Sequence, residues 1–114
     1  MDNAITEKSF QFAVRIVKLC KHLRLTQKEY TLTQQLLRSG TSIGANVTES
    51  QQAQSRADFI SKLNIALKEA VETEYWLRLL EATDYLTQVE FNSIIEDCLE
   101  VEKLLTSILK STKK

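Results

Sequence analysis

The sequence predicts an all-α protein, an antiparallel up-down four-helix bundle, on three observations. First, 114 residues contain no proline and only two glycines, too little turn-forming material for a sandwich or barrel. Second, apolar residues make up 43% of the chain, more than a disordered segment would carry. Third, the apolar residues recur at spacings of three and four within four blocks, separated by short polar stretches. The length is room for one domain, residues 1–114. Short connections favour antiparallel neighbours.

The first helix is expected from about Ala4 to Leu25. It is apolar over more than half its circumference, with Phe12, Ile16, Leu19 and Leu23 on one side and Phe10, Ala13, Val17 and Cys20 on the other. One small core cannot cover both sides, so a second buried contact, self-association, is expected, with Phe10 and Phe12 as interface candidates. A polar loop follows, and Thr31–Leu32–Thr33–Gln34 has the spacing of a capping box. It opens a second helix expected to end near Gln52. Within it, Gly40 and Gly44 stand four apart in a run of small residues. Each interior glycine costs about 1 kcal/mol relative to alanine. Close approach of another helix is the usual compensation, and a break near Gly40 is the alternative.

Ser55–Arg56–Ala57–Asp58 starts a third helix, expected at about 56–86. Its main stripe is Phe59, Leu63, Ala66, Ala70, Leu77 and Leu80, and a second strip holds Ile65, Trp76 and Leu79. Trp76 is the candidate interface anchor, as a large aromatic outside the main stripe. Thr87–Gln88–Val89–Glu90 is a complete capping box for a fourth helix, expected at about 88–110, whose Phe91, Ile94, Cys98, Val101, Leu105 and Ile108 form a coiled-coil-like seam. The Lys113–Lys114 tail is expected to fray.

Chemistry for catalysis is sparse. His22 is the only histidine, so one chain offers no two-histidine metal site and no base for a hydrolase triad. No Glu-x-x-His pair and no phosphate-cradling glycine loop is present. The expectation is no enzyme, no cofactor and no metal. The N-terminal residues lack the layout of a signal peptide, and no apolar run approaches the roughly 20 residues that cross a bilayer. With Cys20 and Cys98 read as buried thiols, a cytoplasmic protein without a membrane partner is expected.

Two polar constellations remain. Arg38, Ser42, Asn46 and Glu49 line one face of the second helix, and Glu74 and Glu81 interrupt the main apolar stripe of the third. A buried carboxylate needs a cation, so Arg38, Asn46, Glu49 and Glu74 are expected to form a buried network that sets helix register. Removing Arg38 would then cost roughly 3–5 kcal/mol, against under about 1 kcal/mol if it were exposed. The second constellation is a charge asymmetry within zero net charge. Residues 1–25 hold five Lys/Arg against two acids, and residues 83–114 hold four Lys against six acids. Lys8, Arg15, Lys18 and His22 fall within roughly 80° on a helical wheel. Most such stripes are solvated faces. The functional reading is contact with the phosphate backbone of RNA or DNA, without base stacking.

The run Leu36–Leu37–Arg38–Ser39–Gly40–Thr41–Ser42–Ile43–Gly44–Ala45–Asn46–Val47–Thr48–Glu49–Ser50 resembles the hallmark segment of the bacterial four-helix-bundle proteins encoded in intervening sequences of 23S ribosomal RNA genes. So does Ile65 to Leu77, and the likeness covers about Phe10 to Leu109. The accessory protein of diversity-generating retroelements is similar. The resemblance implies a homopentameric ring with no enzymatic activity. In the retroelement relatives a strongly basic ring is associated with nucleic acid and with the reverse transcriptase, so RNA or DNA is the expected partner class; the alternative is a protein-binding adaptor whose partner is encoded nearby. Ser50 stands where a glycine commonly ends the family motif, which lets the second helix be expected to run further.

Overall fold

The chain forms α1 (Asn3–Thr26), α2 (Thr31–Ser50), α3 (Arg56–Ala82) and α4 (Gln88–Thr112). The structure is a computed structural model that describes residues 3–112, so the Lys113–Lys114 tail lies outside the described residues. Its longest dimension is 44 Å. A helix the length of α3 spans about 40 Å at 1.5 Å per residue, so the four helices run side by side for nearly their full length. Each packs on its two chain neighbours, and α4 closes the square against α1. The backbones of the diagonal pairs stay apart, and the α1–α4 seam is the most open of the four.

The ends of the helices explain where the sequence reading was right and where it slipped. Glu90 N–H donates to Thr87 Oγ1 at 3.1 Å and Thr87 N–H donates to Glu90 Oε1 at 2.8 Å, the reciprocal box expected. Ser55 Oγ accepts from Asp58 N–H at 3.0 Å, also as expected. The start of α2 is different. Thr31 and Gln34 form no box; instead Glu29, almost fully buried, accepts from the amides of Thr31, Leu32 and Thr33 at 2.8–3.2 Å. A carboxylate over the positive end of a helix satisfies three orphan amides at once.

Both α2 and α3 stop earlier than expected. After Ser50 the bonds from Gln51, Gln52 and Ala53 reach back only three residues, so the last turn tightens and the helix ends. At α3, Asp84 takes the left-handed conformation (φ 69°), Tyr85 N–H donates to Leu80 O and Asp84 N–H to Glu81 O. That is a Schellman stop with aspartate where glycine is usual, which is why no glycine marks it in the sequence. Leu86 beyond it is buried and still joins the core.

The core is built from Phe12, Ile16 and Leu23 of α1, Leu36, Ile43 and Val47 of α2, Leu63, Ala66, Ala70 and Leu77 of α3, and Cys98, Val101 and Leu105 of α4. α2 runs unbroken through both glycines. A Cβ on Gly40 would sit 2.8 Å from Ile16 Cγ2, and one on Gly44 would sit 3.3 Å from the Ser9 carbonyl oxygen. The glycines are there so that α1 can lie against α2. Burial also governs the two free thiols: it pushes Cys20 up to about 11 and raises Cys98 further.

Candidate interaction surfaces

The basic stripe of α1 runs along the edge of the helix beside α4, with Lys18 and His22 exposed. It faces α4 across the open seam. Lys8 Nζ lies 3.2 Å from Asp97 Oδ1 and 3.0 Å from Glu100 Oε2. Arg15 Nη1 donates to Asp97 Oδ2 at 2.5 Å, while Nη2 donates to Ser93 Oγ at 2.8 Å. His22 Nε2 stands 3.8 Å from Glu90 Oε2. Residues seven apart on α1 thus meet acids descending antiparallel on α4. The hydrogen bonds that Lys8 donates to Glu100 and Asp97 hold its ammonium above its usual range. Burial opposes ionisation of Asp97, but the bonds from Arg15 and Lys8 outweigh it and keep the carboxyl low. The charge asymmetry between the chain ends is therefore spent within the fold, closing the seam that apolar packing leaves open. Lys18 and His22 border a groove of about 380 Å³ there, floored by Leu19 and Ile94 and walled by Val89.

The expected buried network around Arg38 is not what forms. Arg38 is on the surface, with its side chain 49% exposed, and grips Glu69 Oε2 at 2.9 Å and Glu72 through its second nitrogen. Those bonds, Glu72 before Glu69, raise its pKa. Glu72 also accepts from Trp76 Nε1 at 3.0 Å, and the indole and Arg38 together hold its carboxyl low. Asn46 donates only to Ser42 O of its own helix, and Glu49, exposed, pairs with Lys62. Glu74 lies on the opposite edge of α3, where it meets Arg78 and the α4 residue Glu102. The reason is angular: the edge of α3 beside α2 carries Glu69, Glu72 and Trp76, and Glu74 falls on the edge beside α4. A buried polar contact between α2 and α3 is Thr73 Oγ1 donating to Ser39 Oγ at 2.9 Å, two small hydroxyls the sequence did not single out. Arg38→Ala should accordingly cost under about 1 kcal/mol in chemical denaturation, not the 3–5 kcal/mol of an orphaned buried charge.

The three interface candidates separate. Phe12 is 1% exposed and belongs to the protomer's own core, so it is unavailable to a partner. Phe10, two residues away and hence on the far side of α1, is 63% exposed. It borders a shallow groove of about 270 Å³ with Ala13 of α1 and Thr41, Gly44, Ala45 and Thr48 of α2. Trp76 is half-buried and packs against the core, its ring edge-on to Tyr75 at 4.9 Å. Val71 and Tyr75 are exposed on the outward face of α3, and Ile65, roughly 80–120° round the helix from them, is exposed on the edge that carries Trp76. A polar helix face with two apolar members looks solvated on a wheel, and only the exposure of Val71 and Tyr75 distinguishes them. Among the described residues, no group of three His, Cys, Asp or Glu side chains is placed to hold a metal ion, and no helix is long and apolar enough to cross a membrane.

Comparison with known proteins adds two results. The family model described as 23S rRNA-intervening sequence protein matches residues 1–107. A crystal structure of a protein with unknown function, from the S23 ribosomal protein family of Bacteroides thetaiotaomicron VPI-5482, is 61% identical to this chain. It superposes with a TM-score of 0.93 and covers 94% of this chain and 99% of its own. No curated protein gives a significant match.

Proposed function

We propose that this chain, which belongs to the 23S rRNA-intervening sequence protein family, is a non-catalytic subunit of a homo-oligomeric scaffold. The observation that supports this reading is the pair of exposed apolar surfaces on different sides of one bundle. One is the small-residue groove beside Phe10 on α1 and α2; the other is the exposed pair Val71 and Tyr75 on the outward face of α3. A groove on one copy and exposed apolar side chains on the next make a head-to-tail contact, and such contacts close into rings when the rotation allows. Five subunits is the number expected from the sequence resemblance. A nucleic-acid partner has weaker support, since three of the four stripe residues already face carboxylates and a phosphate would have to displace them.

Light scattering at micromolar concentration should give several times the protomer mass of 13.1 kDa. Phe10→Glu and Tyr75→Glu should each yield monomers. Mixed in equal amounts, they should form a one-to-one dimer, because each variant keeps the surface that the other has lost. A monomeric native protein would remove the scaffold reading and leave the two surfaces to a different protein partner.

A further inference from the structure

The α1–α4 seam is closed unevenly along its length. Around Lys8 and Arg15, ion pairs to Asp97 and Glu100 hold it shut. Beyond Arg15 the groove of about 380 Å³ opens and reaches His22 and Val89. That volume lies in the range of small-molecule sites, about 300–1,000 Å³. From Arg15 to His22 the groove runs along α1 for about 10 Å. Its floor is apolar, made by half-buried Leu19 and by Ile94 at 3% exposure, and Val89 stands 79% exposed as the wall. The end beside Arg15 is polar and lacks an anion. Lys18 makes no ion pair or hydrogen bond among the described residues, and one turn either way α1 offers it Arg15, Lys21 and His22 but no acid. Arg15 donates from Nη1 and Nη2 to Ser93 and Asp97, while its Nε–H bonds to nothing among the described residues. Ser93 Oγ accepts from Arg15 and keeps its own proton to donate. The carboxylates nearby are already engaged, Asp97 by Arg15 and Lys8, and Glu90 by the Thr87 amide.

We propose that this groove binds a small anion with an apolar body, a medium-chain carboxylate. The head sits between the Lys18 ammonium, Arg15 Nε and Ser93 Oγ, and the tail lies over Leu19 and Ile94 and ends against Val89. Each half of the site needs the other. A bare inorganic anion gains only exposed, salt-screened contacts at the head and leaves the floor wet. An uncharged apolar molecule leaves Lys18 without a counter-charge, and a cation of the same shape is repelled by it. A nucleic-acid backbone has no apolar group to lay on Leu19 and Ile94. The tail supplies most of the affinity, since each methylene taken out of water is worth about four-fold in binding. The head fixes direction along the groove and selects the sign of the ligand's charge.

The test is a titration of the native protein with sodium octanoate, followed by NMR of isoleucine, leucine and valine methyl groups, which stays readable for an assembly. Saturable shifts are expected at Leu19, Val89 and Ile94, while Ile65 and Val71, exposed on α3, stay in place. Hexanoate, shorter by two methylenes, should bind about ten-fold more weakly. Octylammonium and inorganic phosphate should leave the groove methyls unmoved at the same concentration. Lys18→Gln should weaken octanoate about three-fold, the scale of one exposed charge pair. Val89→Asp should abolish the saturable shifts, and an aspartate in the first turn of α4 suits the helix dipole, so the fold is kept. Shifts spread equally over Ile65 and Val71 would mean unspecific adsorption and overturn the site. So would equal binding of octylammonium, octanoate binding unchanged in both variants, or no saturable shift at all.

Discussion

Phe12→Ala is expected to be the most damaging single truncation, destabilising the protomer by about 3–5 kcal/mol. Phe12 is the largest of the fully buried side chains and lies in the same cluster as Ile16 and Val47. Truncation removes the transfer free energy of a whole ring and leaves a void that helices packed on both sides cannot close. The informative control is Phe10→Ala, which should change protomer stability by no more than about 0.5 kcal/mol. Denaturation at two protein concentrations distinguishes them. Phe12→Ala lowers the midpoint at both concentrations, whereas Phe10→Ala removes only the part of the stability that grows with concentration through assembly. Equal effects of the two would mean that Phe12 is not the core residue the structure makes it.

Gly40→Val should follow, at about 3 kcal/mol, the upper part of the range for overpacking a well-filled site. Even the first added carbon would lie 2.8–3.2 Å from three atoms of Ile16, all at or next to its branch point. A β-branched side chain in a helix has essentially one rotamer, so Ile16 cannot swing aside and α1 must move away from α2. Gly44→Ala makes the contrast. Its Cβ would meet the Ser9 carbonyl oxygen at 3.3 Å, a displacement of a few tenths of an ångström, and alanine recovers about 1 kcal/mol of helix propensity. It should stay within about 1 kcal/mol of the native protein. Thermal or chemical unfolding of the two variants decides the matter, and an equal loss would mean that helix approach is not what selects glycine. Combining Gly40→Val with Ile16→Ala should restore part of the stability, because the two residues contend for one volume.

The positions of the four helices were legible because each has an apolar period that neighbouring residues reinforce. Two of their starts, Ser55–Asp58 and Thr87–Glu90, are capping motifs complete within four residues. The misread ends depend on backbone geometry. Glu29 caps α2 from two residues before the helix, reached only because the loop turns through Lys28 at φ 56°. Asp84 stops α3 in a conformation that aspartate tolerates without announcing it.

The candidate surfaces were less legible. Lys8, Arg15 and His22 share one face of α1, but helix periodicity says which residues share a face and not what stands opposite. Lys8 and Arg15 meet Asp97 more than 80 residues along the chain, a pairing visible only once α4 is packed against α1. Arg38 and Glu74 were joined by matching a cation to an isolated carboxylate. The helix rotation instead gave Arg38 the outer acids Glu69 and Glu72 and turned Glu74 towards Glu102.

Local sequence alone determined the all-helical class, the four helices and the bundle. Each of these depends on composition or on residues within about two turns of one another, where helical geometry leaves little freedom. Tertiary structure decided which of two phenylalanines is core and which carboxylates meet cations. Those outcomes depend on the rotation of each helix about its axis, which the packing of Ile16 over Gly40 and the closing of the α1–α4 seam by ion pairs set jointly for all four. A turn of about 100° per residue means that a small rotation exchanges one neighbour for another, and no single helix contains the information to choose.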